Sequence, residues 1–448
     1  MKNRTTFPTV LMTLALILAS CGDGGADTTT TAAVGTTTAP TETTMSGETT
    51  APTETTTGAP SGEPIVVGST LSLTGPFGAT GTIHQITGQL FVDRLNEAGG
   101  LLGRPVEWDV RDDESVTDNV ATLYEQLIGQ DGVDLIMGPY ATPNIMAAMP
   151  IAERHGFVLP QHTAVLAPTL TYPCQFPGWS IGFEPNSFIP NQLADAMDSL
   201  EGAVSTVALV TNQSGSAAFV TFGRPDVEEP AAETIFPERG YEVVANIPYP
   251  PGNTEWDAIA TEVRQANPDL VMVNGLGVDA NGLIEAMLAL DGYRPQMIFA
   301  LFPAPGPLLG LGAANDIEAL SVSIFEPNES ILAEMDPSVG QIVADFAERA
   351  TAAGVPYTTF ETQAAASWNA WEILTQGVEG AGALDHQAIC DYLHANGAEL
   401  TFAGPVEFDP AQNNFWETNL GIKQIQDGDW VMVWPEDRAA AELRGPSN

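Results

Sequence analysis

Asp134-Leu135-Ile136-Met137-Gly138 and Asp269-Leu270-Val271-Met272-Val273-Asn274-Gly275 are two versions of one segment. In each version an acidic residue precedes a short apolar run, and the run ends in glycine. A continuous apolar run of this length predicts a strand that is covered on both faces of its sheet. Each segment also closes a similar series of elements, so the chain contains the same structural plan twice.

The first series begins with the apolar stretch Ile65 to Leu71, which predicts a strand. Apolar residues at helical spacing then predict a helix from about Thr82 to Asn96, and Gly99-Gly100 ends that helix. A second strand covers Val106 to Val110, and a second helix ends near Leu127.

The second series follows the same order, with strands at Val204 to Val210 and Tyr241 to Ile247. One helix continues to Arg239-Gly240, and another passes through Ala266. Strands that alternate with helices are typical of parallel sheets with helices on both faces. We therefore expect an α/β fold of two doubly wound lobes, with a cleft where the carboxyl ends of the strands face each other.

The chain after Tyr357 adds a helix from Glu361 to Gln376, a short strand around Pro405 to Phe408 and a terminal β segment from Gly421 to Trp434. We expect these late elements to return to the first lobe and cross again, giving a multi-strand hinge. The expected boundaries are residues 64–184 and 327–416 for lobe 1, 185–326 and 417–436 for lobe 2, and 437–448 for a C-terminal tail.

The N-terminus predicts export. Lys2 and Arg4 precede an apolar run from Val10 to Leu18, which is too short for a membrane span of ~20 residues, so residues 1–20 are typical of a secretory signal. Leu18-Ala19-Ser20-Cys21 resembles the lipobox of bacterial lipoproteins, which implies a lipid on Cys21. The alternative is ordinary cleavage near Ala19 that leaves Cys21 as a free thiol.

Residues 21–63 predict a disordered tether rich in Thr, Pro and Glu. Residues 22–63 contain no Lys, Arg or aromatic side chain, so they cannot bury enough apolar surface to offset the entropy of ordering the chain. A coil of this length spans about 35 Å on average. It would hold a folded body clear of a membrane surface.

The formal net charge is −43, and the loss of Lys2 and Arg4 with the signal takes it to −45. A chain this acidic has no basic surface for a nucleic-acid partner. Its acidity serves solubility, or adaptation to salty surroundings that screen the repulsion. Cys174 and Cys390 either pair in an oxidising compartment or stay free and buried, and we expect no metal site, because neither has a Cys or His at ligand spacing.

Several motifs together resemble one known family in order and spacing. They are Gly68 to Gly75 with Thr74-Gly75-Pro76, Asn96 to Arg104, Arg111-Asp112-Asp113, Asp134 to Gly138, Gly404 to Asp409 and Gly428-Asp429-Trp430. From Pro64 to about Pro435 the chain is similar to the leucine/isoleucine/valine-binding type of periplasmic binding protein. The resemblance implies a monomeric, hinge-closing receptor without a cofactor, which passes an amino acid or related compound to an ABC permease in the membrane.

The resemblance implies ligand-binding residues in the first lobe. Thr142 falls where the family donates a hydroxyl to the ligand carboxylate, although Thr142-Pro143 is also typical of a helix cap. Tyr140 and Ala141 directly precede it and belong to the same candidate set. Thr80, in the loop Phe77 to Gly81, matches a position that often holds an aromatic ring lining the cleft, and either Phe77 or Tyr140 is the candidate to replace that ring.

Gln161-His162-Thr163 match the next ligand-binding loop of the family. Thr163 fits the family pattern, in which a threonine faces the ligand. Gln161 and His162 are larger than the residues usual there, so they either add hydrogen bonds to the ligand or only belong to the loop.

The second lobe departs from the family pattern. Phe302, or its neighbour Leu301 or Pro303, falls where the family places an acid for the ligand ammonium, and Leu276 falls where it has an aromatic hydroxyl. A desolvated ammonium without a partner costs several kcal/mol. Asp279 is the nearest acid that could substitute. We therefore expect a carboxylate or amide with a hydrophobic body instead of a free α-amino acid.

Two alternative functions follow from other features. A two-lobed receptor can also act as a sensor that reports its ligand to a separate membrane signalling partner. Gly178-Trp179-Ser180-Ile181-Gly182 matches the nucleophile elbow of serine hydrolases, which would make Ser180 catalytic. That motif needs a strand directly before it, yet Thr171 to Pro177 contains two prolines, so we expect no enzyme.

Overall fold

The computed structural model describes residues 59–162, 169–224, 227–418 and 420–446. The predicted signal peptide, Cys21, the predicted tether as far as residue 58, and Thr163 lie outside the described residues. Within the described ranges no helix is long and apolar enough to cross a membrane.

The first part of the chain builds a small parallel sheet with helices around it. Its elements are β1 (Ile65–Leu71), α1 (Gly78–Glu97), β2 (Val106–Asp112), α2 (Thr117–Gln126), β3 (Leu135–Ile136), α3 (Thr142–His155), β4 (Leu159–Gln161) and β5 (Gln175–Pro177). One turn of π-helix, Leu127–Asp131, follows α2 directly. β1 lies between β2 and β3, with Val67 opposite both Trp108 and Leu135, and β4 pairs with β5.

The middle of the chain repeats this alternation at greater length. Its elements are α4 (Phe188–Asp198), β6 (Thr206–Asn212), α5 (Gly215–Phe222), α6 (Ala232–Glu238), β7 (Glu242–Tyr249), α7 (Asp257–Ala266), β8 (Leu270–Gly277), α8 (Asp279–Ala289), β9 (Met297–Pro303), α9 (Pro305–Asn315) and β10 (Leu320–Ser323). The single helix expected to continue to Arg239-Gly240 is wrong, because the structure has two, α5 and α6. Gly223, with a φ of 71°, ends the first of them.

The last part of the chain adds elements to both earlier groups. They are α10 (Glu329–Glu334), α11 (Pro337–Ala352), α12 (Thr362–Ala381), α13 (His386–Asn396), β11 (Ala398–Leu400), β12 (Gly404–Val406), β13 (Gly421–Gln426) and β14 (Asp429–Trp434). α11 and α12 pack on α1. β13 pairs antiparallel with β10, which gives a seven-stranded sheet in the order β14-β13-β10-β9-β8-β6-β7. The chain therefore passes between the two groups after Pro177, after Ser323 and before Gly421, and the expected two-lobed α/β fold is confirmed.

Two boundaries in the first lobe differ from the predictions because of close backbone approaches. α1 begins at Gly78 and not near Thr82. Gly81 lies in its first turn and packs against the backbone of Ser72. A Cβ at this position would be 1.9 Å from the carbonyl oxygen of Ser72, so the position requires glycine. β3 is only two residues long. Directly after it, Gly138 lies against β4, where a Cβ would be 2.7 Å from that of Gln161.

An aromatic cluster joins the returning helix α12 to the first lobe. The rings of Phe91 and Trp368 are 4.9 Å apart, and those of Trp108 and Trp371 are 5.3 Å apart. Trp371 is fully buried. Aromatic pairs in edge-to-face contact contribute about 0.5–1.5 kcal/mol beyond their buried area, so this cluster holds α12 firmly against α1.

Cys174 and Cys390 form a disulfide, with their Cα atoms 5.4 Å apart. Cys174 directly precedes β5, and Cys390 lies on α13. The bond joins two segments of the first lobe that are 216 positions apart in the chain, and between them the chain passes through β6 to β10 of the second lobe. Of the two alternatives left open by the sequence, the structure has the paired form.

Candidate ligand-binding site

A small cavity lies between the lobes, at the carboxyl ends of the strands. Its walls are formed by Tyr140, Ala141, Thr142, Trp179, Ser216, Leu276, Phe302 and Gln363. The cavity has a volume of about 30 Å³, far below the ~300–1,000 Å³ of a typical ligand pocket. The walls are therefore nearly in contact, and the structure shows a closed cleft.

A direct contact between the lobes keeps the cleft closed. Gly277 ends β8 with a φ of 57°, and a Cβ there would lie 2.9 Å from the carbonyl oxygen of Pro76 and 3.3 Å from the ring of Phe77. Only glycine fits so close to the opposite lobe without displacing it. A ligand of several atoms enters only when the lobes separate, which is the usual hinge motion of two-lobed receptors.

The first wall of the cavity is the N-terminus of α3. Ala141 precedes the helix with φ 74° and ψ 140°, a conformation that costs a residue with a Cβ about 1–3 kcal/mol. Thr142 is the first residue of α3, so the cap position predicted for Thr142 belongs to Ala141. Backbone N–H groups in the first turn of a helix lack acceptors within that helix, and together with the helix dipole they attract an anion.

Two more helices begin at the same cavity. Ser216 is the second residue of α5, and Gln363 is the second residue of α12. The carboxylate of Glu361 caps α12 by accepting a hydrogen bond from the backbone N–H of Gln363. Three helix N-termini from different parts of the chain therefore meet around one small space.

Two buried polar groups of the walls lack a hydrogen-bond partner among the described residues, and one of them can only donate. The indole Nε1 of Trp179 and the hydroxyl of Ser216 are buried, and neither has a hydrogen-bond partner within the described part of the chain. An indole N–H can only donate. Burying such a donor without an acceptor costs about 1–3 kcal/mol, so these walls favour a ligand rich in acceptors.

The opposite wall is apolar. Leu276 near the end of β8 lies opposite Phe302 on β9, and the rings of Phe302 and Trp179 meet edge to face at 5.9 Å. No acidic side chain is among the residues that line the cavity. Asp279 lies behind the wall, where one carboxylate oxygen accepts hydrogen bonds from Asn212, from the Tyr249 hydroxyl and from the backbone N–H of Leu276.

Tyr140 is the aromatic residue that lines the first-lobe side. Its ring meets Phe77 edge to face at 5.8 Å and lies 5.0 Å from His84. Thr80 is fully buried inside α1 and does not line the cavity, so its predicted place in a cleft loop is wrong. Burial raises the pKa of the Tyr140 hydroxyl, which stays protonated at neutral pH.

Gln161 and His162 lie behind the cavity and not on its surface. Gln161 ends β4, and its amide bonds to that of Gln175 at 3.3 Å. His162 is fully buried, with its ring stacked on His84 at 4.6 Å and an interplanar angle of 15°. The structure therefore brings Tyr140, Ala141, Thr142, Leu276 and Phe302 together at the cavity, but not Thr80, Gln161 or His162.

No sequence motif predicted His84, Ser216 or Gln363 as site residues, and Trp179 stood out only as part of the elbow motif. His84 is buried in α1, and burial lowers its pKa to about 3 although a hydrogen bond to Gln363 opposes this shift. Nothing near His84 in the sequence marks it. For Ser216 the polar, glycine-containing segment directly after β6 was a usable signal, since such segments follow the ligand-facing ends of parallel strands.

Ser180 has a structural role. Its hydroxyl donates to the carbonyl oxygen of Trp416 at 2.5 Å and accepts from the backbone N–H groups of Gly182 and Trp416. These bonds join the first and the last segments that pass between the lobes. The hydroxyl is fully buried, and its hydrogen bonds are to backbone groups, so the arrangement of a catalytic serine is absent from this described segment.

Two α/β lobes with a cavity between the carboxyl ends of their strands have the architecture of a two-lobed solute-binding protein. A sequence profile described as periplasmic binding protein matches residues 64–429, and the chain therefore belongs to the periplasmic binding protein family. The family expected from the motifs is confirmed. Its members bind solutes outside the cytoplasm without transforming them, and the chain is not an enzyme.

Three similar proteins illustrate the family. The chemotactic signal transduction system substrate-binding protein BasB of Halobacterium salinarum is 25% identical over 254 residues, and the alignment spans 55% of this chain but only 59% of that relative. A solute-binding protein of an ABC transporter from R. palustris, solved with benzoate, has a TM-score of 0.67 at 18% identity and covers 86% of this chain and 99% of its own. The branched-chain amino acid transporter protein LivJ from Streptococcus pneumoniae, solved with isoleucine, has a TM-score of 0.65 at 21% identity and covers 86% of this chain and 100% of its own.

Proposed function

We propose that this chain is an exported lipoprotein that captures a small carboxylate with an apolar body and delivers it to an ABC permease. The N-terminal sequence supports a signal peptide at residues 1–20, a lipid on Cys21 and a tether to residue 63. The lobes would then act as a monomer at the outer face of the membrane. The boundaries at residues 184, 326 and 416 are part of this proposal.

The chemistry of the cavity is the observation that carries the ligand class. Trp179, Ser216 and Gln363 bring hydrogen-bond donors to the cavity beside the N-terminus of α3, and Leu276 and Phe302 give the cavity an apolar surface. This arrangement suits a carboxylate attached to a ring or a branched chain. An α-amino acid would bring an ammonium group to walls that hold no acid to neutralise it.

Calorimetry on the mature protein tests this ligand class. We expect benzoate to bind at one site in the micromolar range and leucine to bind at least ~100-fold more weakly, because the ammonium of leucine finds no counter-charge. Benzoate is the chosen probe because a structural neighbour holds it. Micromolar binding of leucine, with none of benzoate, would overturn the proposal.

Phe302→Asp places an acid at the apolar wall. The new carboxylate would repel a bound carboxylate, so we expect benzoate affinity to fall at least ~100-fold and leucine affinity to rise. The matched control Phe302→Leu keeps the wall apolar and is expected to weaken benzoate by about tenfold or less. Equal benzoate affinity in wild type and Phe302→Asp would show that the ligand lies elsewhere.

A sensory role is the second candidate, and the similarity to BasB favours it. In that role the same closed cleft would report the ligand to a separate signalling protein in the membrane. Co-purification of the lipidated protein with a permease would support import, and co-purification with a membrane chemoreceptor would support sensing.

A further inference from the structure

His84 and His162 form a buried pair directly behind the cavity. Both side chains are fully buried, and their rings are stacked at 4.6 Å. The ring of His84 also lies 5.0 Å from the ring of Tyr140, which lines the cavity. Contacts with these two rings hold the plane of the His84 imidazole in place.

The only side-chain hydrogen bond of His84 within the described part of the chain is to Gln363. Its Nε2 lies 3.2 Å from the amide oxygen Oε1 of Gln363. An amide oxygen can only accept, so with the amide in this orientation the bond requires the tautomer in which Nε2 of His84 carries the proton and donates. The other nitrogen, Nδ1, is then an acceptor, and it has no partner among the described residues.

This bond decides which end of the Gln363 amide remains for the cavity. The oxygen is held by His84, so the NH₂ group, which can only donate, is the part available to a ligand. Turning the amide by 180° would place its NH₂ against Nε2, so the imidazole proton would have to move to Nδ1, where the described residues offer it no acceptor. A glutamine without such a partner could turn and offer its oxygen to an ammonium group.

We propose that His84 is a positioning residue that holds the Gln363 amide with its NH₂ group toward the cavity, and that Gln363 thereby selects a carboxylate over an ammonium. This inference deepens the proposed function and rests on it. His84 touches no ligand in this arrangement; it acts through Gln363.

A matched set of probes tests the inference, with benzoate, benzamide and benzylamine sharing one ring. Gln363→Glu keeps the size of the side chain and leaves an acceptor toward the cavity. We expect its affinity for benzoate to fall about 10- to 100-fold and benzylamine binding to become measurable, since a hydrogen bond to a charged group is lost and an ion pair is gained. Gln387→Glu, the same change on an exposed face of α13, is expected to leave all three affinities unchanged.

Variants of His84 separate positioning from packing. His84→Phe keeps a ring in the stack but removes the donor, so the amide can turn, and we expect the ratio of benzoate to benzylamine affinity to fall about tenfold. His84→Gln offers both a donor and an acceptor near the former Nε2, so the Gln363 amide can still turn, and we expect the ratio to stay below that of wild type. A purely structural role would lower the melting temperature and weaken the three probes equally.

Two outcomes overturn the inference in different ways. If wild type binds benzoate but Gln363→Glu binds it equally well, Gln363 does not select the ligand and only this inference fails. If wild type binds none of the three probes, the proposed ligand class fails and this inference fails with it.

Discussion

Lys423→Met is expected to lower the free energy of unfolding by about 3–5 kcal/mol, the usual cost of removing one partner from a buried ion pair. Lys423 is only 2% exposed, and its ammonium donates to Glu326 at 2.5 Å and to Glu361 at 3.2 Å. The ammonium also lies 4.8 Å from the ring centre of Trp430. Without the lysine, two buried carboxylates face each other with no counter-charge.

The three charged residues connect separate parts of the fold. Lys423 is on β13, Glu326 follows β10, and Glu361 caps the helix that brings Gln363 to the cavity. Burial lowers the pKa of the Lys423 ammonium, but the two carboxylates outweigh that effect and leave the pKa raised. Loss of the lysine should therefore also weaken ligand binding, because the start of α12 loses its support.

The stability lost in Lys423→Met should increase as pH rises. Burial raises the pKa of Glu326 from 4.5 to about 7, although Lys423 opposes the shift. Because the pKa of Glu326 is higher in the folded than in the unfolded protein, protonation of Glu326 stabilises the folded protein. This stabilisation is complete below about pH 4.5 and is lost as pH rises through 7. We expect the variant to lose more stability at pH 8 than at pH 5, measured by urea denaturation.

A surface ion pair provides the matched control. Arg239 pairs with Asp195 and Asp198 at similar distances, but its side chain is 31% exposed. Arg239→Met is expected to cost about 1 kcal/mol or less, because water screens the exposed pair. Equal losses for the two variants would show that burial of the Lys423 cluster contributes nothing to its effect.

Removing the Cys174–Cys390 disulfide is expected to lower the free energy of unfolding by about 4 kcal/mol. The bond closes a loop of 216 positions, and a long closed loop restricts the unfolded chain more than a short one does. Most of the second lobe, all but β13 and β14, lies inside this loop, so without the bond the two halves of the first lobe are joined by packing, hydrogen bonds and the ion pairs Arg94–Asp345 and Arg349–Asp93.

Chemical denaturation of the Cys174→Ser, Cys390→Ser double variant measures this effect. Wild type in a reducing buffer is the control and should show the same loss, while the double variant should not respond to the reductant. Denaturation midpoints that are equal with and without the reductant would contradict the prediction.

The parts of the fold that the sequence predicts are those decided by neighbours in the chain. The strands at Ile65 to Leu71 and Leu270 to Gly277 are almost entirely buried, and the sequence shows this in the apolar runs Ile65 to Val67 and Leu270 to Val273 with which they begin. The prediction that Thr80 lies in a loop was wrong because glycine usually ends a helix, whereas Gly81 lies within α1. There Gly81 lets α1 pack closely against Ser72, the residue that follows β1.

The polar part of the site was hidden from the sequence for a different reason. His84 and Gln363 are 279 positions apart, and each is an ordinary residue within a helix until the fold brings them together. Ser216 and Gln363 reach the cavity only because their helices begin there. Phe302 and Leu276 were found through the family resemblance, which matches them to ligand-binding positions, and the structure places them near the ends of β9 and β8.

A crystal structure of the mature protein grown with benzoate would show directly whether the cavity between the lobes binds a small carboxylate. We predict one benzoate between the lobes, with its ring against Leu276 and Phe302 and its carboxylate within hydrogen-bond distance of Thr142 and of Nε2 of Gln363. The cleft should be wider than in the closed structure by the size of the ring. Benzoate bound outside the cleft, or an empty cleft at saturating benzoate, would contradict the proposed ligand site.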